Sequence, residues 1–161
     1  MAKLFATKND LSKKTREAVV ALLNARLLDA IDLQLQAKQA HWNVKGPQFI
    51  ALHELFDKVA DAAEEAVDLI AERSVQLGGV AIGAAKAVAS GSKLEPYPLS
   101  AVDGAAHVEA LSTALARFGA LARKAIEDAD ALDDKDTADL FTEVSREADK
   151  YLWFVEAHRP Q

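Results

Sequence analysis

Two histidines and three carboxylates in the first half of the chain have the types and spacing of a metal site. His53 is followed four residues later by Asp57, and Asp68 is followed four residues later by Glu72. Residues four apart share one face of a helix, and the eleven residues from Asp57 to Asp68 make about three full turns. Both pairs therefore lie on one helical stripe, with His41 just before the preceding turn. Imidazole and carboxylate together bind a divalent first-row metal such as iron, manganese or zinc.

The length of that helix limits where such a site can close. At 1.5 Å per residue, His53 and Asp68 are roughly 22 Å apart along an unbroken helix, too far to share one ion at about 2 Å. Either the two pairs serve different sites, or a two-fold axis brings His53 and Asp57 of one chain against Asp68 and Glu72 of another. The midpoint of that antiparallel pairing falls near residues 62–63, two alanines small enough for close approach. A site within one bundle would normally use Glu-x-x-His, and no histidine here has a glutamate three positions before it.

Simpler roles remain open for each of these residues. A histidine at a helix end often caps or packs, and an exposed pair of acids four residues apart is often a solvated face. The same segment carries other acids of that kind, Asp61, Glu64 and Glu65. The metal hypothesis depends on the five side chains acting together, and their spacing alone does not choose iron over zinc.

Four long segments repeat apolar residues at helical spacing and are predicted to be helices. They cover about residues 10–41, 47–76, 102–129 and 136–157. Gly46 and Pro47 separate the first from the second, and Gly78 and Gly79 end the second. Residues 77–100 are too many for a hairpin turn and are predicted to form a crossover with a short helix of its own. A short loop, a long crossover and a short loop describe an all-α, ferritin-like four-helix bundle.

Composition and charge narrow the classes of function. Half of the 161 residues are apolar, enough for one domain with a sizeable core, and the absence of cysteine excludes disulfides and thiolate metal sites. No apolar run approaches a membrane span and no secretory signal is visible, so a cytoplasmic location is expected. The net charge of −6 divides into +4 on residues 1–16 and −10 on the remainder, which should repel nucleic acid. The predicted organisation is a short basic tail at 1–9 and one bundle domain at 10–158.

Three stretches of the chain resemble the Dps family, the DNA-binding proteins from starved cells, also called miniferritins. They are KQAHWNVKGPQFIALHELFD, DLIAERSVQLGG and SREADKYLWFVEAH, and the likeness extends from about residue 8 to residue 158. The resemblance implies a hollow homododecamer with tetrahedral symmetry. It also implies a ferroxidase that binds Fe(II) at dimer interfaces, oxidises it preferentially with hydrogen peroxide and stores the ferric mineral inside.

The resemblance further implies which residues hold the iron. His41, His53 and Asp57 match the ligands from one subunit, and Asp68 and Glu72 match those from its two-fold mate, with no family position substituted. Peroxide would oxidise two irons in one two-electron step, so that hydroxyl radical is not released. The carboxylates would stabilise the growing Fe(III) charge, and neutral histidines would fix the orientation.

Other residues near these positions have less specific signals. Lys38, one turn before His41, can reach a site carboxylate and weaken the second iron position. Trp42 is next to His41 and could donate an electron, although a large apolar residue packed at the interface fits it equally well. Trp153 is expected in the core. His107 and His158 match no ligand position and are assigned to packing.

An acidic region precedes and begins the last predicted helix. Asp136, Asp139 and Glu143 recur at i, i+3 and i+7 and share one helix face. By the resemblance, acids of this region line three-fold pores that draw cations inward. A solvated face, or a helix start favoured by its dipole, explains the same residues.

The N-terminus carries the candidate DNA contacts, Lys3, Lys8, Lys13 and Lys14, together with Arg16. By the resemblance DNA binding depends on a Lys-rich tail, and twelve weak copies would add affinity by multivalency. The short tail and the acidic body oppose this. A non-catalytic, nucleoid-associated DNA-binding shell protein with a structural metal site is the alternative function, and a purely protein-binding bundle is a third.

Overall fold

The computed structural model describes residues 4–159, and this range contains five helices. They are α1 (Lys13–Asn43), α2 (Phe49–Gln76), α3 (Ala85–Gly91), α4 (Gly104–Ala131) and α5 (Lys135–Glu156). The four long helices confirm the ferritin-like, all-α prediction, and α3 is the short helix expected in the crossover. Among residues 4–159, no helix combines the length and apolar character needed to cross a membrane.

Local capping explains where three of the helices begin. The side chain of Ser12 accepts a hydrogen bond from the Thr15 amide, so α1 starts at residue 13 rather than near residue 10. Asp103 caps α4 and Asp134 caps α5 in the same way. The predicted start of the last helix is therefore correct to within one residue.

The long helices pack in pairs around one apolar core. α1 lies against α2 and α4, and α5 lies against α4 and α2, while α3 rests on α1. The largest fully buried apolar side chains are Leu23, Leu27, Leu52, Phe56, Ile70, Leu77, Leu111 and Phe141. Burial of each such side chain contributes about 1.5–3 kcal/mol, so the core holds α1 and α2 rigidly side by side.

Polar side chains of α1 fasten the crossover to the bundle. Asn24 donates to the Val80 carbonyl at 3.0 Å and accepts from the Ile82 amide at 2.8 Å. Farther along α1, the buried carboxylate of Asp29 accepts from the Lys93 amide at 2.6 Å. The crossover backbone is thus satisfied by side chains rather than by a sheet.

The end of α2 holds the segment before α1. The Phe5 amide donates to the Gly78 carbonyl at 2.7 Å, and the guanidinium of Arg16 donates to the Leu77 carbonyl at 3.0 Å. Gly78 has φ +84°, and a Cβ there would lie 2.5 Å from the Phe5 carbonyl oxygen. Glycine is required on both counts. Residues 4–9 of the predicted basic tail therefore begin docked against the bundle.

Candidate metal centre

His41 and His53 form a stacked pair where α1 ends and α2 begins. Their ring centroids are 3.7 Å apart with 22° between the ring planes. The Nδ1 of His41 donates to the His53 carbonyl at 2.7 Å, and the Nδ1 of His53 donates to the His41 carbonyl at 2.8 Å. Because a carbonyl can only accept, each Nδ1 carries the proton when the ring is neutral. Each Nε2 then keeps its lone pair and is the atom able to bind a metal.

The turn between the helices explains this pairing. Gly46 has φ +114°, a conformation that glycine adopts without strain, and it reverses the chain directly after α1. Phe49 opens α2 and places its ring 5.1 Å from the His53 ring. The turn therefore stacks two histidines that are twelve residues apart in sequence.

Asp57 completes a cluster with these rings and with Lys38 of α1. The Lys38 ammonium forms a short ion pair with Asp57 Oδ1, and His41 Nδ1 lies 3.8 Å from the same oxygen. The hydrogen bond from Lys38 is the main reason that the pKa of Asp57 is lowered, and the same bond raises the pKa of Lys38. Asp57 is therefore ionised and available as a metal ligand, in competition with the lysine.

Asp68 and Glu72 lie on the same helix but far from this cluster. α2 runs without a break over 28 residues, so the separation of roughly 22 Å along its axis holds. Both carboxylates are exposed, and within residues 4–159 neither forms a side-chain hydrogen bond or an ion pair. The same residues contain no group of three or more histidines and acids placed to hold one metal ion. One chain thus carries two separate groups of donors.

Comparison with known proteins assigns the family. The ferritin-like domain profile matches residues 20–160. The DNA protection during starvation protein of Agrobacterium fabrum is 48% identical over 97% of this chain and 96% of its own length. The structure of DpsA14 from Streptomyces coelicolor superposes with a TM-score of 0.93 at 33% identity, covering 99% of this chain and 95% of that one. The chain belongs to the Dps family. Dps from Mycobacterium smegmatis, at TM-score 0.91 and 32% identity over 98% of this chain and 96% of that one, has the same fold.

The centre of α2 in this Dps chain differs from the sequence expectation. Ala63 is buried in the subunit's own core and Ala62 is half-buried, so these small residues do not form the outer face. Asp61 and Glu64 are exposed between the two donor groups. Their charges, like that of Asp57, favour the protonated form of Lys38.

The two tryptophans of this Dps chain are both on the surface. Trp42 is 67% exposed beside His41, which agrees with either an interface role or an electron-donor role. Trp153 is 66% exposed, so its expected place in the core was wrong. On α5 the buried positions include Phe141, Ala148 and Val155, seven residues apart, and residue 153 lies off that face. The Trp153 ring instead contacts the Phe154 ring, with 4.9 Å between the ring centroids.

The predicted pore acids lie together at the start of α5. Asp136, Asp139 and Glu143 are all exposed and share one face. Behind them, Asp134 is only 2% exposed, and its Oδ1 forms an ion pair with the Arg73 guanidinium at 2.8 Å. The same guanidinium lies 3.8 Å from a carboxylate oxygen of Asp136. This ion pair joins the end of α2 to the start of α5. Sequence reasoning missed it, because residues 61 apart share no local signal.

The candidate DNA contacts are only partly described. Lys3 lies outside the described residues, while Lys8, Lys13 and Lys14 are exposed. Lys13 is 3.7 Å from Glu17 on the same helix. The guanidinium of Arg16 donates to the Leu77 carbonyl at 3.0 Å and to the Leu11 carbonyl at 3.2 Å. Arg16 is therefore a structural residue rather than a free cation.

His107 is more constrained than its assignment to packing implied. It is buried in α4, and its Nδ1 lies 2.5 Å from the Tyr97 hydroxyl. Its ring centroid is 6.4 Å from that of Phe56, the residue before Asp57. Sequence spacing gave no sign of this contact.

Proposed function

We propose that this Dps protein is a ferroxidase that oxidises Fe(II) with hydrogen peroxide at sites shared between two-fold related subunits. The ferric product would be stored inside a hollow homododecamer. Both reactants of Fenton chemistry would be removed from solution, which would protect DNA from oxidative damage. Relatives with the name DNA protection during starvation protein support this purpose.

The observation that carries the proposal is the symmetry of the donors along α2. His53 and Glu72 are equally far from the point between residues 62 and 63, and so are Asp57 and Asp68. All four lie within an arc of about 100° on the straight helix. An antiparallel two-fold pairing would place the imidazole-rich group of one subunit against the carboxylate-only group of the other, twice per dimer.

Two exposed apolar side chains follow the same symmetry and support the pairing. Ile50 is 61% exposed and Val75 is 57% exposed, both on the stripe of the donors. They too are equally far from the midpoint, one beyond each donor group. In the pairing, Ile50 of one subunit would lie against Val75 of the other. This contact would exclude water from the outer edge of the metal site.

The donor set suits Fe(II) oxidation. Three carboxylates, Asp57, Asp68 and Glu72, supply three negative charges, which attract Fe(II) and stabilise Fe(III) still more. The imidazoles of His41 and His53 are held in one tautomer and would bind through Nε2. Two Fe(II) ions give peroxide two electrons, and two protons complete its conversion to two waters. Oxidation of both ions together leaves no odd electron for a hydroxyl radical.

Lys38 is proposed to set the balance between the two iron positions. Its ammonium already occupies an oxygen of Asp57, so iron must displace it to use that oxygen. A cation beside the site also raises the energy of a second cation. One iron would bind strongly, and the second would bind more weakly.

The acids at the start of α5 are proposed to guide iron through the shell. Asp136, Asp139 and Glu143 are exposed on one face, and a ring formed by three copies of this face would concentrate cations. Arg73 and Asp134 fix the position of this helix start relative to α2.

A DNA-binding shell protein with a structural metal site is the second candidate. Its supporting observation is the exposure of Lys8, Lys13 and Lys14 near the N-terminus. The docking of Phe5 at Gly78 opposes it, because this contact holds the described part of the N-terminal segment against the bundle. A gel shift at two salt concentrations, with and without residues 1–8, tests this role, and an unchanged shift after truncation excludes the tail.

To test the ferroxidase proposal, Fe(II) and then peroxide are added to the protein. The absorbance of the ferric product and the loss of peroxide are then measured over time. We expect the wild-type protein to consume about one peroxide per two Fe(II). The His41→Ala/His53→Ala variant should lose this activity. The control Asp61→Asn/Glu65→Gln, which removes an acid pair of equal spacing on α2, should keep it. A wild-type protein without iron-dependent peroxide loss would exclude the proposal.

A further inference from the structure

A half-buried tyrosine of the crossover and a buried histidine of α4 form a polar pair close to the elements of the candidate metal centre. The Tyr97 hydroxyl lies 2.5 Å from Nδ1 of His107, and the ring planes are 23° apart with centroids separated by 6.1 Å. The other ring nitrogen of His107, Nε2, is buried, and a backbone hydrogen bond to Asn43 favours the protonated imidazole. The imidazole therefore lies between the phenol of the crossover and the backbone that follows α1.

The protonation states of the pair follow from its surroundings. Burial raises the pKa of Tyr97 to about 12, so the phenol keeps its proton at neutral pH. Burial lowers the pKa of His107, an effect that the backbone of Asn43 partly opposes, so the imidazole is neutral. The phenol accordingly donates its hydrogen bond to a free lone pair on Nδ1. This arrangement has a base in place to receive the phenol's proton.

The pair lies next to the elements that carry the imidazole-rich donor group. The His107 ring is tilted against the Phe56 ring, with centroids 6.4 Å apart, and Phe56 directly precedes Asp57 on α2. Asn43, whose backbone acts on His107, is two residues after His41. Aromatic rings thus connect the phenol to the helix of the metal site.

We propose that Tyr97 and His107 form a redox-active pair that supplies a single electron to the iron site when peroxide is reduced in one-electron steps. The inference rests on the proposed ferroxidase function and adds to it a way to reduce the hydroxyl radical that a single Fe(II) would form. Tyr97 is a radical-forming residue here, and His107 is the positioning residue that takes its proton.

The chemistry balances for one peroxide and two Fe(II). When only one iron is bound, Fe(II) reduces peroxide to hydroxide and hydroxyl radical and becomes Fe(III). Tyr97 gives one electron, which converts that radical to hydroxide, and the phenol proton moves to Nδ1 of His107. A second Fe(II) then reduces the phenoxyl radical, and the proton returns from His107 to the oxygen. Two Fe(III) and two hydroxides result, and the pair is restored.

The chain offers a matched control for this role. It contains two tyrosines, and Tyr151 lies on α5 beside Phe154 and under the ammonium of Lys150. Within residues 4–159, Tyr151 has no histidine as a hydrogen-bond partner. A phenol without a hydrogen-bonded base gives up an electron less readily, because no imidazole is placed to take its proton.

The experiment is rapid-freeze electron paramagnetic resonance after substoichiometric Fe(II) and peroxide are added to the assembled protein. We expect a tyrosyl signal that narrows when the tyrosine rings are deuterated, which separates it from tryptophan radicals. Tyr97→Phe should abolish the signal and Tyr151→Phe should retain it. His107→Asn, which still accepts the hydrogen bond but cannot hold the proton, should lose it with the helical content unchanged. A signal that persists in Tyr97→Phe, or its absence in the wild type during iron oxidation, overturns the inference.

An iron-free arm separates this inference from the ferroxidase proposal. Photogenerated tris(bipyridine)ruthenium(III) removes one electron from the protein without iron or peroxide. We expect the radical to settle on Tyr97 and to disappear in Tyr97→Phe, even if the protein oxidises no iron. Equal radical yields on Tyr97 and Tyr151 would refute the pair, whatever the outcome of the iron assay.

Discussion

Mixing two inactive variants should restore iron oxidation if each site is shared between subunits. One variant, His41→Ala/His53→Ala, removes the imidazole-rich group, and the other, Asp68→Asn/Glu72→Gln, removes the carboxylate-only group without changing its size. Each protein alone should be inactive, because every site in its dimers lacks one group. A mixed dimer has one site with both groups intact and one site with neither.

The expected recovery follows from helix geometry and counting. Because roughly 22 Å separates the groups along one rigid helix, no site can be completed within a chain. Random pairing of equal amounts makes half of the dimers mixed, and half of the sites in those dimers are intact. About one quarter of all sites, and so about one quarter of the wild-type initial rate, should return.

The assay compares initial rates of ferric absorbance for the two proteins coexpressed with different affinity tags and purified through both. The Asp61→Asn/Glu65→Gln chain, coexpressed in place of the Asp68→Asn/Glu72→Gln chain, keeps both donor groups, so about half of all sites should be intact and about half of the wild-type rate should be measured. A mixed assembly no faster than the mean of its two parents would refute the shared site. Full activity of either parent alone would refute the assignment of its residues.

Three further predictions concern the surroundings of the site. Lys38→Met should tighten binding of the first Co(II) by up to about five-fold, since a half-exposed ion pair is worth at most about 1 kcal/mol. Calorimetry measures this binding, with Co(II) as a redox-inert probe, and equal tightening in the control Lys58→Met would contradict a specific role. Ile50→Lys should weaken the dimer and lower iron oxidation together, as sedimentation and rate measurements would report, and an unchanged assembly would remove this residue from the interface. Gly78→Ala should release the N-terminal segment and speed its cleavage by trypsin, because the new Cβ meets a carbonyl oxygen 2.5 Å away. The control Gly46→Ala, where the same atom meets nothing within 4 Å, should leave that cleavage rate unchanged.

Residues that are close in sequence were predicted well because helical periodicity is a local property. The short helix in the crossover and the ends of α2 and α5 follow from glycines, prolines and capping acids, whose effects extend over one turn. The common stripe of His53, Asp57, Asp68 and Glu72 follows from the repeat of the helix alone. Trp153 shows the limit of this reasoning: an apolar residue in an amphipathic helix can lie off the buried face.

The sequence by itself determined the bundle, the donor types and the impossibility of closing their site along one straight helix, because each depends only on local geometry. Only the tertiary structure decided that His41 stacks on His53 with both Nδ1 atoms occupied, that Arg73 pairs with a buried Asp134, and that Tyr97 donates to His107. These contacts join residues that are distant in the chain, and they form only when packing of the apolar core fixes one helix against another.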